Sequence, residues 1–307
     1  MKSPLNIKNQ VDAIYKRFHQ KSYLELDPLH VLIDGLNPND AEVLSFIMAG
    51  LSYGRVEQIV KSFKNLLFCL EKLNCKKNGE GLSKYLLNSF KKQEASQALK
   101  GWVHRLNTEH DIVELFSVLH NILNEKGSLC AHFQESYLEN PEEQISKFGQ
   151  IFRNSTTNQS LHKKWKGTGA SWFAPDPKDG STCKRLMMWF RWMIRDDWID
   201  LGLWQRAPLI NTKLPRPSPE RLFYPVDTHI FRWGKNHNVI KSSSMNWKSV
   251  REITDVFKKL SPEDPVKYDF SLCTEGKLNF RDSFSLSKKV TPKKSRASSP
   301  RSLELQK

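Results

Sequence analysis

The chain has 307 residues, of which 38% are hydrophobic and 11% aromatic, and its formal net charge is +15 at pH 7. Nine Trp and 17 Phe exclude a largely disordered chain, and no apolar run approaches the roughly 20 residues of a membrane-spanning helix. The positive charge favours an anionic partner, nucleic acid before a membrane surface, although a merely basic protein has the same composition. The length allows one large domain or two lobes, each with its own core.

The cysteine pattern indicates whether a metal or disulfides are expected, and the N-terminal residues indicate the cellular compartment. No CxxC pair is present, so single thiols are expected rather than a disulfide framework, a zinc site or an iron–sulfur cluster. No charged-then-apolar secretory leader opens the chain. The sequence therefore predicts a cytoplasmic protein without a metal or another cofactor. The five cysteines are Cys69, Cys75, Cys130, Cys183 and Cys273.

Helical periodicity runs through most of the chain. Asn37 and Pro38 predict a helix start, with Asn37 as the cap, and Tyr53-Gly54 ends the apolar pattern of this helix. Apolar residues at helical spacing then begin a second helix at Val56. Further helices are predicted over residues 82–106, 111–125, 141–153, 184–195 and 246–260. Alternating strand patterns are scarce, so the predicted fold class is all-α.

Three stretches lack the helical pattern. Residues 154–183 are polar and rich in Gly, Ser and Thr, and residues 205–226 carry five prolines that predict a long ordered loop. Residues 277–307 contain nine Lys/Arg and two Asp/Glu, are rich in serine, and predict a disordered basic tail. Such a tail can add salt-sensitive phosphate affinity or act only as a solubilising extension.

The stretch GSTCKRLMMWFRWMIRDDW begins at Gly180 and predicts a helix that is buried on most sides. Arg191 and Arg195 lie on one stripe of it with Lys184. The two arginines are expected to pair with carboxylates such as those at positions 196, 197 or 200. Lys184 sits at the helix start, where the dipole disfavours a positive charge, and a lysine in such a place can become a nucleophile.

The turn before this helix is a second candidate feature. Gly180 and Ser181 precede the helix start, where free backbone N–H groups can bind a phosphate. An ordinary glycine-containing turn has the same sequence, so this signal is weak by itself.

The stretch PVDTHIFRW places Asp227 before another helical run. Its carboxylate is expected to cap that helix by accepting hydrogen bonds from the first free N–H groups. His229, beside the cap, is expected to be structural. The open question is whether Asp227 does more than cap.

Together these stretches resemble the helix-hairpin-helix DNA glycosylase superfamily, the group of endonuclease III and 8-oxoguanine glycosylase. In that group a glycine-containing turn with an early lysine is followed by V-D-T-H-x-x-R, as at residues 226–232 here. Residues 10–275 also resemble an uncharacterised bacterial family of conserved hypothetical proteins, domain of unknown function 2400. That resemblance rests on DPL at 27–29, LSYGRVEQI at 51–59, residues 180–204 and PVDTHIFR at 225–232.

The glycosylase resemblance implies a chemistry. Asp227 would stay ionised and stabilise the positively charged sugar that forms as an N-glycosidic bond breaks. Lys184 would attack the anomeric carbon and form a Schiff base, which permits strand cleavage by β-elimination. The target base would first be flipped out of the stack. The residues implied to contact nucleic acid are Tyr53, Arg55, Gly180, Ser181, Arg185 and Arg232.

The resemblance also implies an all-α, two-lobed helix-hairpin-helix glycosylase-like fold over residues 1–276. One lobe would hold about residues 30–195, and the other would combine the N-terminal segment with residues 225–275. Double-stranded DNA would lie across the mouth between them, bound by a monomer, with no membrane involved. The alternatives are a catalytically silent nucleic-acid-binding module on the same fold, or a recruited core in which Asp227 is only a cap. An enzymatic function requires Lys184 and Asp227 to open onto one groove.

Overall fold

The computed structural model describes residues 4–32, 35–154, 169–207 and 213–289. These residues are mostly helical, so the predicted all-α class is confirmed. Short 3₁₀ helices and one two-stranded antiparallel hairpin join the α-helices of this part of the chain. Within it, no helix combines the length and the apolar character that crossing a membrane requires.

The helices and strands are numbered in chain order. The first part of the chain contains α1 (Pro4–Phe18), α2 (Pro38–Gly50), α3 (Val56–Leu70), α4 (Leu82–Asn88), α5 (Lys92–Ala98), β1 (Val103–His104), β2 (Asn107–Thr108), α6 (Glu109–Lys126), α7 (Leu129–Glu135) and α8 (Pro141–Asn154). The second part contains α9 (Lys184–Ile194), α10 (Leu203–Arg206), α11 (Thr228–Asn236), α12 (Trp247–Leu260) and α13 (Asp269–Lys289).

Two predicted helix caps are confirmed. The Asn37 side chain accepts a hydrogen bond from the Asp40 N–H at 3.0 Å, and Pro38 is the first residue of α2. The Asp227 carboxylate accepts hydrogen bonds from the N–H groups of His229 and Ile230 at 2.8 and 2.9 Å. Both helices therefore begin where a side-chain oxygen satisfies backbone donors that the helix itself leaves free.

The single long helix predicted over residues 82–106 is wrong. The stretch forms α4, α5 and then the hairpin, in which Val103 pairs with Thr108. The chain leaves α5 through Gly101, whose φ of +82° lies in the left-handed region that glycine adopts without strain, and it reverses at Arg105 and Leu106 between the two strands. A distant residue holds the hairpin in place, because the Tyr53 hydroxyl lies 2.8 Å from the His104 carbonyl oxygen.

The sequence predicts disorder from residue 277, but α13 continues to Lys289, so residues 277–289 are helical. The helix packs against both α1 and α11. Residues 290–307, the rest of the predicted tail, lie outside the described residues. One continuous apolar cluster reaches from α1 to α13 and does not separate two cores. The predicted division into two lobes therefore stays a prediction.

The two irregular stretches are partly described. Residues 169–183 contain the 3₁₀ helices Gly169–Phe173 and Pro177–Asp179, and residues 155–168 lie outside the described ranges. In the proline-rich stretch residues 208–212 are likewise outside. The Arg216 guanidinium connects the second half of this stretch to α10, because it donates to the carbonyl oxygens of Trp204, Gln205 and Ala207 at 2.8–2.9 Å.

Helix α9 lies at the centre of the core. Every residue from Leu186 to Ile194 is buried, and α2 packs along one side of the helix. Its Trp189 and Phe190 rings contact the Trp204 ring with centroids 5.1 and 6.0 Å apart. Such large buried rings supply much of the apolar area that the core removes from water.

The most deeply buried charge on α9 is Arg191, whose side chain is 2% exposed. Its guanidinium contacts three carboxylates from different parts of the chain. The Asp200 carboxylate lies 3.1 Å away, the Asp27 carboxylate lies 3.5 Å away, and Asp269 pairs with Nη1. Arg191 thereby joins α9 to the N-terminal segment and to the start of α13.

Arg195, one turn further on, extends this network. It contacts Asp264 at 2.8 Å and Asp197 at 3.0 Å, and it shares Asp200 with the preceding arginine. The prediction that the two arginines pair with nearby carboxylates is therefore confirmed for Asp197 and Asp200. The carboxylate at position 196 pairs with Arg206 instead. Buried ion pairs of this kind need every partner, because an unpaired buried charge is strongly unfavourable.

Replacing the buried arginine tests this network. Arg191→Met keeps the length of the side chain but leaves Asp27, Asp200 and Asp269 without their shared cation. We expect the free energy of unfolding, measured with urea, to fall by roughly 3–5 kcal/mol. The control is Arg251→Met, which removes a half-exposed ion pair with Glu142 and should change it by less than about 1 kcal/mol. Equal effects of the two substitutions would contradict the role given to Arg191.

Candidate active site

One pocket is formed where the starts of α9 and α11 meet the first turns of α13. Its volume is about 370 Å³, within the range of small-molecule sites. Lys184 and Asp227 both line it, so the two residues that the sequence predicts to be catalytic open onto the same cavity. The lining also includes Asp27, Tyr53, Arg185, Met188, Arg191, Val226, Asp269, Phe270, Cys273 and Lys277.

The two oxygens of Asp227 have different partners. Oδ1 accepts the backbone N–H groups at the start of α11, and Oδ2 accepts a hydrogen bond from the Cys273 thiol at 3.4 Å. Burial opposes ionisation of this carboxyl group, but the charge of Lys184 and the N–H of Ile230 outweigh it, with smaller contributions from His229 and Lys277. The pKa of Asp227 is therefore lowered. The carboxylate is ionised and fixed in orientation at neutral pH.

Lys184 is the first residue of α9. Its amine lies 3.3 Å from the Met188 sulfur, one turn further along the helix. The residue before it, Cys183, has a φ of +49° and caps the helix without a side-chain hydrogen bond. The amine thus faces a thioether and a pocket at the positive end of a helix dipole.

Lys277 is a pocket residue that the sequence did not reveal, because the composition around it predicts a disordered tail. Its amine donates to the Leu26 carbonyl oxygen at 2.7 Å. Burial opposes the positive charge, but Cys273 and the carboxylates around the pocket outweigh it and raise the pKa of Lys277. The spacing of Asp269, Cys273 and Lys277, four residues apart, places them on one helix face, and this pattern could have revealed the residue.

The floor of the pocket belongs to the buried ion network. Asp269 pairs with Arg191 and lines the pocket at the same time. Burial, together with the negative charge of Asp227, raises the pKa of Asp269 to about 6 although Arg191 and Lys184 oppose this. The charges of Asp227 and Lys184 therefore act on Asp269, a member of the ion network that holds α9 in the core.

Two predicted nucleic-acid contacts, Tyr53 and Arg185, line the pocket but are already engaged within the protein. The Arg185 guanidinium lies 3.9 Å from the centre of the Trp172 ring and donates to the carbonyl oxygens of Gly50 and Trp172. Burial lowers its pKa to about 10. The Tyr53 ring lies beneath Arg185, and its hydroxyl bonds to the hairpin. Both side chains shape the wall of the pocket.

The other four predicted contacts lie outside the pocket lining. Gly180 and Ser181 precede Thr182, which lines it, and the Ser181 hydroxyl accepts the Cys183 N–H at 3.1 Å. Arg55 is exposed just before α3. Arg232 is exposed and lines a neighbouring cavity of about 170 Å³. Their contacts with nucleic acid stay a prediction.

His229 separates the two cavities, since it lines both. It is half-buried, and burial lowers its pKa despite the neighbouring Asp227 carboxylate. Helix α13 passes so close that a Cβ atom built on Gly276 would lie 2.7 Å from the His229 Cβ atom. The absence of a side chain at Gly276 therefore allows α13 to approach α11 closely at His229, two residues after Asp227.

A second feature that the sequence did not reveal is the tip of the hairpin. Leu106 is 64% exposed and Val103 is 58% exposed, although both are large apolar residues. The Leu106 N–H lies 3.2 Å from the Tyr53 hydroxyl, and the Arg105 guanidinium lies 5.5 Å from the Tyr53 ring centre. The hairpin thus holds an exposed apolar side chain next to the pocket wall, and Gly54 also lines this pocket.

Comparison with known proteins gives a family and no further relative. The model of a family described as "Protein of unknown function (DUF2400)" matches residues 27–277. No curated protein and no solved structure was found to match the chain. All residues that line the pocket, from Asp27 to Lys277, fall within the matched range.

The close approach of α13 to α11 can be tested with Gly276→Ala. The added methyl group would meet the His229 Cβ atom, and neither backbone can yield without moving the start of α11. We expect a loss of roughly 1–3 kcal/mol in the free energy of unfolding, measured by urea titration. Asn279→Ala, at an exposed position of the same helix, is the control and should change it by less than about 0.5 kcal/mol. A Gly276→Ala variant as stable as the control would show that the helices can separate freely.

Proposed function

We propose that this chain, which belongs to the DUF2400 family, is a DNA-binding base-excision protein: an N-glycosylase with Schiff-base lyase activity. The observation that carries the proposal is the shared pocket of Lys184 and Asp227, in which the carboxylate is ionised beside an amine. A volume of about 370 Å³ suits one extruded nucleotide. The net charge of +15 favours a polyanionic partner.

The first chemical step would be cleavage of the bond between the base and C1′ of the sugar. The electron pair of this bond leaves with the base, and positive charge develops on the sugar ring. Asp227, which the α11 N–H groups and the Cys273 thiol hold in place, would stabilise this charge without having to reorient. A carboxylate that is fixed before the reaction needs no reorganisation in the transition state.

The second step would be nucleophilic attack by Lys184. Its neutral amine forms a bond to C1′, one amine proton passes to the ring oxygen O4′ as the C1′–O4′ bond breaks, and the product is a protonated imine. Removal of a C2′ proton then expels the 3′ phosphate by β-elimination.

The hairpin supports a duplex as the substrate. Proteins that distort duplex DNA often insert an apolar side chain between base steps, and a base must leave the stack before it can enter a pocket. Leu106 is exposed, apolar and fixed beside Tyr53 at the pocket wall, so it can take the place of an extruded base. Arg105 beside it can contact the backbone phosphates.

Borohydride trapping tests the chemistry. Duplexes with an abasic site, 8-oxoguanine or uracil would be incubated with wild type, Lys184→Ala, Asp227→Asn and the control Lys178→Ala, an exposed lysine outside the pocket lining. We expect a covalent adduct with wild type and the control, no adduct with Lys184→Ala, and base release at least roughly 100-fold slower with Asp227→Asn.

The pattern of losses separates the alternatives. Base release that depends on Asp227 without any adduct would leave a monofunctional glycosylase. Salt-sensitive binding without adduct or release on the whole panel would contradict the enzymatic proposal and favour the silent nucleic-acid-binding module.

The role of the hairpin can be tested with Leu106→Ala against Phe68→Ala. Both residues are about equally exposed, at 64% and 66%, but Phe68 lies on α3 outside the pocket lining. We expect Leu106→Ala to lower base release from duplex roughly tenfold, because the gap left by the extruded base is no longer filled. Release from single-stranded DNA should not change, since it requires no unstacking from a duplex. Equal losses on both substrates, or a loss with Phe68→Ala, would argue against insertion.

A further inference from the structure

The proposed chemistry places opposite demands on two neighbouring groups. Lys184 must be neutral to attack the sugar, whereas Asp227 must be ionised. Each charge stabilises the other, and Lys184 is the strongest single influence that favours ionisation of Asp227. When Lys184 loses its proton, the carboxylate depends on the N–H groups of α11 and on the remaining cations of the pocket to stay charged.

Lys277 is placed to supply that charge. It lies on the face of α13 that also carries Asp269 and Cys273, and it lines the pocket with Asp227. Its amine is held at 2.7 Å by the Leu26 carbonyl oxygen, an acceptor that favours the protonated form. The charged and titratable groups that line this pocket are Asp27, Tyr53, Lys184, Arg185, Arg191, Asp227, His229, Asp269, Cys273 and Lys277.

The two lysines differ in their immediate partners. The Lys184 amine contacts the Met188 thioether at 3.3 Å, and a thioether is a weak hydrogen-bond acceptor. The Lys277 amine has a carbonyl partner and stands among the carboxylates of the pocket floor. A lysine in the second environment keeps its proton, so it cannot attack a sugar.

We infer that Lys277 is a positioning residue: its ammonium group keeps Asp227 ionised while Lys184 gives up its proton and acts as the nucleophile. The inference rests on the proposed function. It gives the two amines of the pocket separate roles: Lys277 is a fixed cation and Lys184 is the nucleophile. It also assigns a function to the first turns of α13 beyond packing.

The pH dependence of single-turnover base release tests this role with Lys277→Met, Lys277→Arg and the control Lys178→Met. Loss of the cation raises the pKa of Asp227. As the pH falls, the carboxylate is therefore protonated at a higher pH than in wild type. We expect the acidic limb of the Lys277→Met profile to move up by about one pH unit, an about tenfold loss on that limb. Activity at higher pH should recover, and Lys277→Arg should keep the wild-type profile. Borohydride should still trap Lys184 in the Lys277→Met variant.

A titration that needs no activity separates this inference from the proposed function. The Asp227 carboxyl group would be followed by carbon NMR in Lys184→Met and in Lys184→Met combined with Lys277→Met. We expect its pKa to be higher by about one unit in the double variant. If this shift occurs while wild type releases no base from any duplex, the proposed function fails and the charge role of Lys277 stands.

Three results would overturn the inference. The first is an Asp227 titration that is the same in the single and double variants. The second is an activity loss in Lys277→Met that is uniform over pH and not rescued by Lys277→Arg, because a merely structural role predicts this. The third is a borohydride adduct on Lys277 itself.

Discussion

The structure depends on two arginines buried at the C-terminal end of an apolar helix. Arg191 lies in the last turn of α9 and Arg195 directly follows the helix. Their carboxylate partners come from the N-terminal segment, the loop after α9, the segment between α12 and α13, and the start of α13. Removing a charge from water is unfavourable unless its partners are fixed around it, so each arginine can be buried in only one arrangement of these segments. The apolar residues of α9 supply the driving force for burial, and the arginines determine which segments meet there.

The pocket results from this arrangement. Lys184 lies at one end of α9 and Arg191 two turns later, and both line the same cavity. Asp269 belongs to the ion network and to the pocket floor, so the position of α13 relative to α9 is fixed where Lys277 enters the site. Asp227 is oriented by the free N–H groups of α11 and by the Cys273 thiol of α13. A rigid core thus presents a carboxylate and two amines whose charges influence one another.

Much of this could be predicted from local sequence. The caps at Asn37 and Asp227 depend on a side chain two or three residues before the N–H groups that it binds, and the pairing of Arg195 with Asp197 and Asp200 is also local. The choice of Lys184 and Asp227 as candidate catalytic residues comes from a resemblance between motifs rather than from spacing, and a shared groove is what an enzymatic function requires of them.

The rest depends on contacts between residues far apart in the chain. Asp27 is 164 residues from Arg191, and no local pattern links the two. The hairpin after Gly101 is held by the distant Tyr53, and Lys277 lies in a charged stretch whose composition indicates disorder. Composition and periodicity cannot identify such partners, because tertiary packing overrides weak local preferences.

The central claim is that the pocket of Asp227 and Lys184 receives an extruded nucleotide. The most direct measurement is a crystal structure of the Asp227→Asn variant with a duplex that carries a tetrahydrofuran analogue of an abasic site. The proposed mechanism predicts the analogue ring inside the pocket, next to residue 227 and the Lys184 amine, with Leu106 inserted into the base stack. A duplex bound on another face, or bound at the pocket with the analogue still stacked in the helix, would contradict it.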